Sequence, residues 1–189
     1  LQSGSSWTPS IVTEDAAMEH SFGLTQVLRH PSFYLLVLAT TSGFTAVTAT
    51  FFHIVPYLTD KGFEPVVAVT VVAVWSGSAT AGTVVTGFYL DRYDSRLVLA
   101  WQLGLAAGAY IIMLSLNSIP SLITWAIAYG FITGGMMTTQ QVIFANYYGR
   151  HHLGSIRGVI MPAFALGNAI GATGSALVFD ISGSYVSVF

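Results

Sequence analysis

The sequence predicts an all-α fold, a polytopic membrane helical bundle with about five transmembrane helices. Three observations predict it. Residues of the hydrophobic class make up 53% of the chain and charged residues only 7%, where a soluble domain carries roughly 25%. The apolar residues gather into five runs of membrane-crossing length, without the strict alternation of a β-barrel. Two of those runs, Val66 to Leu90 and Leu97 to Leu116, contain no charge and flank a short stretch with four charged side chains in six residues, Asp91, Arg92, Asp94 and Arg96.

The same composition excludes other classes. A net charge of −2 does not suit a nucleic-acid binder. With no cysteine there is no disulfide framework, thiolate metal site or catalytic thiol. No Gly-Lys-Ser/Thr follows a strand, as a phosphate loop would need, and no His, Asp and Glu cluster has metal-ligand spacing. The chain is therefore expected to be neither an enzyme nor dependent on a metal or cofactor.

Residues 1–30 read as a linker. Leu1 to Ser10 is rich in Ser, Gly and Pro and is expected to be disordered. Ser21 is placed to cap a short amphipathic helix carrying Phe22, Leu24, Val27 and Leu28 at the membrane surface, the alternative being an ordinary flexible tail. The spans are then expected over Phe33 to Val55, Val66 to Leu90, Leu97 to Leu116, Ser121 to Tyr147 and Ile156 to Phe179. Pro31 suits the first turn of the first span, where its missing N–H is not needed. Thr59 to Pro65 and Asn117 to Pro120 are turns, Gly149 to Gly154 is a basic loop, and Asp180 to Ser184 closes the fifth span. Small residues four apart, at Gly77/Ala81, Gly104/Gly108, Gly130/Gly134, Gly154/Gly158 and Gly167/Gly171, predict close helix packing.

Orientation follows from the basic residues. Arg29, Arg92, Arg96, Arg150 and Arg157 fall on one side of the membrane and Lys61 alone on the other. The arginine side is expected to be cytoplasmic.

Within the spans, His53 is the one titratable group well inside a predicted helix. It is a candidate for the outer mouth or for proton carriage, or else an imidazole bonded to a neighbour. Gln140, Gln141 and Asn168 are amides in hydrocarbon that face either another helix or a solute path, with Asn168 the deeper. Asn146 belongs with them near the end of the fourth span. Trp75 lies near mid-span, against a solute or in the packing. Asp94 is expected only to be solvated.

The charged hairpin, with Gly87 four residues before the pair Asp91-Arg92 and Arg96 four after it, resembles the cytoplasmic motif between helices 8 and 9 of the major facilitator superfamily. Three further stretches resemble that family in the matching order. Phe52 to Phe63 is similar to the outer end of helix 7, Tyr147 to Gly158 to the loop from helix 10 into helix 11, and Phe179 to Tyr185 to the exit from helix 11. Within the superfamily the likeness is greatest to the monocarboxylate transporter and oxalate/formate antiporter branch.

The resemblance implies that residues 31–189 are the C-terminal bundle, helices 7 to 11, truncated before helix 12 near Tyr185, with residues 1–30 the end of the central cytoplasmic loop. It implies secondary active transport of a small organic solute such as a monocarboxylate, with a coupling proton or counter-substrate. The implied partners are membrane lipid and the missing N-terminal half, and the implied site is the plasma (inner) membrane. Gly87, Asp91, Arg92 and Arg96, with Arg150 and Arg157 near helix 11, would act as a conformational latch; lipid anchoring is the plainer role for the arginines. Drug or other solute efflux by the same fold, or a non-transporting assembly subunit, are the alternatives.

Overall fold

The computed structural model describes residues 24–149 and 153–182, and the described residues form helices joined by short turns. They are α1 (Leu24–Val27), α2 (Pro31–Asp60), α3 (Pro65–Leu90), α4 (Ser95–Leu114), α5 (Ile119–Tyr148) and α6 (Leu153–Ser182). The five from α2 to α6 are each long and apolar enough to cross a membrane. They coincide with the five predicted spans and mostly overrun them. Proline explains several starts: Pro31 opens α2, Pro65 opens α3 and Pro120 sits in the first turn of α5. Each contributes a pre-set φ where no N–H is required.

The stops have local causes too. Gly149 follows α5 with φ 78°, a left-handed backbone that a side chain disfavours. Gly62 does the same after α2 with φ 89°. Thr59 and Asp60, expected in the turn, belong to α2. The Thr59 hydroxyl reaches back to the carbonyl oxygens of Val55 at 3.2 Å and Pro56 at 2.8 Å, which helps the helix run past its internal proline. At the other side of the same turn, Lys61 Nζ donates to the carbonyls of Leu114 at 2.9 Å and Leu116 at 3.2 Å. The lone lysine thus caps the C-terminal end of α4, where the helix dipole favours a cation.

α5 is the central helix. Thirteen of its residues are buried, against six in α2, five in α3 and six in α4. Its closest neighbour is α3. A methyl group on Gly130 would strike the backbone carbonyl of Trp75, one on Gly134 that of Ala79, and one on Gly82 of α3 would strike the carbonyl of Phe131. The two backbones touch because no Cβ intervenes. α6 packs on α2 in the same way, with Gly167 and Gly171 set against Thr41 and Thr45. Two of the five predicted small-residue pairs therefore lie at helix contacts. Gly77, Gly104, Gly108, Gly154 and Gly158 would meet nothing within 4 Å among the described residues. A spacing of four marks a helix face without saying what that face meets.

Buried side chains form two layers. Near the Lys61 end, Ile54, Tyr57, Leu58, Trp75, Trp125, Tyr129 and Met113 pack together. Near the arginine-bearing end, Val27, Phe33, Leu99, Ile143, Phe144, Tyr148, Ile156 and Phe164 do so. Val27 is fully buried, so α1 is a single turn docked on the bundle. Ser21 and Phe22, the first residues of the expected amphipathic helix, fall outside the described residues. Many large apolar side chains remain exposed, among them Leu35, Val66, Trp101, Ile111 and Ile181, as suits a bundle whose solvent is lipid.

The α3–α5 contact yields the first prediction. Gly134→Ala places a methyl against the Ala79 carbonyl and should destabilise the intact protein by about 1–3 kcal/mol. Gly104→Ala, with open space around it, should be neutral or slightly stabilising. Thermal unfolding of the two variants in detergent compares them.

Candidate functional site

The hairpin between α3 and α4 is built from both helix ends. Asp91 follows α3 with its N–H on the Gly87 carbonyl at 3.3 Å, and the Arg92 N–H bonds Tyr89 O at 3.0 Å. Both side chains are exposed. Asp94 is the N-cap of α4, its carboxylate accepting from the Arg96 N–H at 2.9 Å. That corrects the expectation of a merely solvated aspartate. The Asp-Ser-Arg order was the available signal, since Asp before the first helical residue is a strong cap. Gly87 would accept a methyl without meeting any atom within 4 Å among the described residues. Close approach to a neighbour in the described bundle is therefore not its reason for being glycine. With Asp91, Val142 and Asn146 it borders a cavity of about 410 Å³ at the arginine-bearing end, between α3 and α5.

Two arginines are held by α5. The Arg96 guanidinium lies over the Tyr147 ring, 4.2 Å from its centroid, a cation–π contact. Arg157 Nη2 donates to Gln141 Oε1 at 2.7 Å, joining the start of α6 to the last turns of α5. The end of α5 thus receives the α3–α4 hairpin on one side and α6 on the other. Arg150 lies outside the described residues. Gln140 is half-buried beside Gln141.

The other candidates are spread along the bundle. Asn168, midway along α6, accepts from the Thr48 hydroxyl of α2 at 2.8 Å and still exposes part of its side chain. His53 is half-buried towards the Lys61 end of α2. Trp75 is buried at 4% exposure. Its indole N–H donates to Thr133 Oγ1 at 2.9 Å, and its ring packs on Tyr129 and Trp125. Its surroundings are those of a packing residue between α3 and α5. The candidate path residues therefore do not converge at one depth: Gln141 is at one end, Asn168 in the middle and His53 towards the other end.

Sequence reasoning missed the polar centre of the bundle. The Tyr129 hydroxyl donates to Tyr110 at 2.6 Å, and Tyr110 lies 2.5 Å from Thr50 Oγ1. Thr50 Oγ1 also lies 2.9 Å from the Ala46 carbonyl, to which it can donate. This chain of hydroxyls ties α5, α4 and α2 together. Its members are separated by up to 79 positions in the sequence, and no local pattern announces them.

The arrangement offers clasped helix ends and a hydrogen-bonded bundle centre. Comparison with known proteins bears on what such a bundle does. A sequence model of the Major Facilitator Superfamily matches residues 3–172. Monocarboxylate transporter 13 of Rattus norvegicus is 25% identical over 185 residues, covering 96% of this chain and 43% of its own length. The Bos taurus protein of the same name is 25% identical over 170 residues, covering 88% of this chain and 39% of its own. The Agnestins efflux protein AgnL12 of Paecilomyces divaricatus is 22% identical over 147 residues, covering 76% of this chain and 33% of its own. The chain spans less than half the length of the curated relatives it matches.

The cap gives a prediction that is independent of transport. Asp94→Ala should cost about 1 kcal/mol of stability, while Asp94→Asn, which keeps an acceptor, should cost a few tenths. Thermal unfolding of the intact protein in detergent reads both.

Proposed function

The chain belongs to the Major Facilitator Superfamily, and from that premise we propose that it is half of a secondary active transporter that moves a small monocarboxylate by alternating access. The family is one of membrane transporters, and the chain is an integral, multi-pass membrane protein. The observation that carries the substrate class is the likeness to two monocarboxylate transporters over most of this chain. On this reading α2 to α6 are helices 7 to 11, the residues before α2 are a cytoplasmic linker, and helix 12 and the N-terminal half complete the protein in the plasma membrane. The solute binds between the halves, so α2 to α6 alone would not transport. A coupling proton or exchanged solute supplies the driving force.

The arginine-bearing end then acts on the conformational cycle. Arg157 on Gln141 and Arg96 on Tyr147 hold the cytoplasmic ends of α6 and the hairpin against α5, and Asp91 and Arg92 stand exposed for contacts with the other half. Asn168 is the residue of this chain best placed in depth to meet a solute, and His53 would lie near the outer mouth.

One observation favours a second reading, export of a larger neutral solute. No Lys or Arg lies between Val66 and Leu90 or between Ile160 and Phe179, so the cation that would pair with a carboxylate must come from outside these stretches. An efflux protein also stands among the relatives.

Uptake of a radiolabelled short-chain monocarboxylate into proteoliposomes of the intact protein tests the proposal. Saturable uptake is expected, and Arg157→Ala should lower the maximal rate about tenfold with KM little changed, because the contact lies away from the cargo. Absence of uptake, with export of neutral organic solutes instead, would favour the second reading. A rise in KM with no change in maximal rate would remove Arg157 from the latch.

A further inference from the structure

Asn168 enters the proposed path by its depth alone, but its hydrogen bond also decides what its amide offers. Oδ1 accepts from the Thr48 hydroxyl of α2 at 2.8 Å. Thr48 is used differently from its neighbours. Thr40, Thr45 and Thr59 return their hydroxyls to the carbonyl four residues back in α2. Thr48 makes no such bond among the described residues and sends its one proton across to α6. A carboxamide has an acceptor oxygen and two N–H donors. With Oδ1 held by Thr48, the other arm of the planar group carries Nδ2. Nδ2 makes no hydrogen bond among the described residues, and Asn168 is exposed. Donors left without an acceptor are costly in an apolar span.

The pair sits on the side of α2 that is turned towards α6 and α3. About one turn before it, Phe44 of α2 meets Phe164 of α6 with ring centroids 5.5 Å apart. About one turn after Thr48, Phe51 meets Trp75 of α3 at 5.6 Å. The groove on the far side of the α2–α6 contact, with Leu38, Ser42 and Leu166 in its wall, includes neither Thr48 nor Asn168. Gly167 and Gly171 set the spacing. They pack on Thr41 and Thr45 with no Cβ between, which holds the two backbones close enough for the short Thr48 and Asn168 side chains to meet.

We propose that Thr48 is a positioning residue for the solute: it holds the Asn168 amide so that the solute meets donors only, and the two N–H groups of Nδ2 select a carboxylate oxygen over an ammonium. The inference rests on the monocarboxylate reading above and carries it to a residue and an atom. It suits the lack of Lys and Arg between Ile160 and Phe179. A hydrogen bond from a neutral donor to a carboxylate is charge-assisted, so it holds an anion without placing a permanent charge in the span. Phe51, 48% exposed about one turn from Thr48, offers an apolar wall for the body of the solute.

The test is uptake of radiolabelled propionate by the intact protein in proteoliposomes, with propylamine as a competing cation. Thr48→Val keeps the shape but has no proton to give, so the amide is free to turn. It should raise the propionate KM about fivefold with the maximal rate within about twofold, and propylamine should inhibit this variant but not the unmodified protein. Thr48→Ser should behave as the unmodified protein does. Asn168→Leu should raise KM about tenfold. Adding Thr48→Val to it should raise KM no further, because the threonine acts through the amide. A lower maximal rate with unchanged KM in Thr48→Val, or an equal rise in KM with and without Asn168, would overturn the inference and leave the pair a joint between helices. Both of those results come with propionate uptake present in the unmodified protein. Its absence there would overturn the monocarboxylate reading and this inference with it.

Discussion

Helices in a bilayer gain little by burying apolar surface against one another, because lipid tails are as apolar as leucine. They associate where backbones can approach closely. In this chain that happens most completely where α3 meets α5. Gly82, Gly130 and Gly134 remove the three side chains that would hold the backbones apart. Polar atoms then bridge the contact directly, Thr83 Oγ1 to Gly134 O at 3.1 Å and Thr138 Oγ1 to Thr83 O at 3.1 Å. Much of the rest of the structure is attached to this pair.

The attachment is of two kinds. α4 joins through buried donors, with Trp125 Nε1 on the Ala109 carbonyl at 2.9 Å and Tyr110 held by Tyr129. α2 and α6 form a second glycine-mediated pair at Gly167 and Gly171, bridged by Thr48 and Asn168. The two pairs meet through Thr50 and Tyr110 in the buried layer and through Arg157 and Gln141 at the end. The first joint is shielded and fully hydrogen-bonded. The second is a single charge-assisted bond at an exposed helix end, where water competes. On the proposed alternating-access function, the exposed joint is the one suited to open and close.

What could be read in the sequence follows from how local each signal is. The all-helical class, the five spans and the family were legible, because hydropathy and short motifs such as Gly87 to Arg96 are written in consecutive residues. Prolines and polar turns placed the breaks to within a few residues, and α2 outran its expected end because Thr59 bonds back past Pro56. The small-residue spacing was half informative. Gly130/Gly134 and Gly167/Gly171 meet partners, but Gly104/Gly108 has the same spacing and faces open space. The candidate site was less legible. Gln141 and Asn168 could be named from polarity in an apolar run and Arg157 from its place in a family-like stretch, but not paired, since their partners lie on other helices. Thr50, Tyr110 and Thr133 gave no signal, for hydroxyls are common in apolar helices. Asp94 was passed over although its cap could be read from position alone.

On the proposed function, α3 and α5 travel as one body while the protein cycles. The chain has no cysteine of its own, so Thr83→Cys with Thr138→Cys introduces a pair across the contact where these two residues meet. The measurement is exchange of labelled for unlabelled solute by the intact double variant in proteoliposomes, before and after oxidation, using the solute that the unmodified protein takes up. The account predicts the same exchange rate with the pair joined and with it reduced. Loss of exchange on oxidation, restored by reduction, would show that α3 and α5 must separate during the cycle and would contradict it.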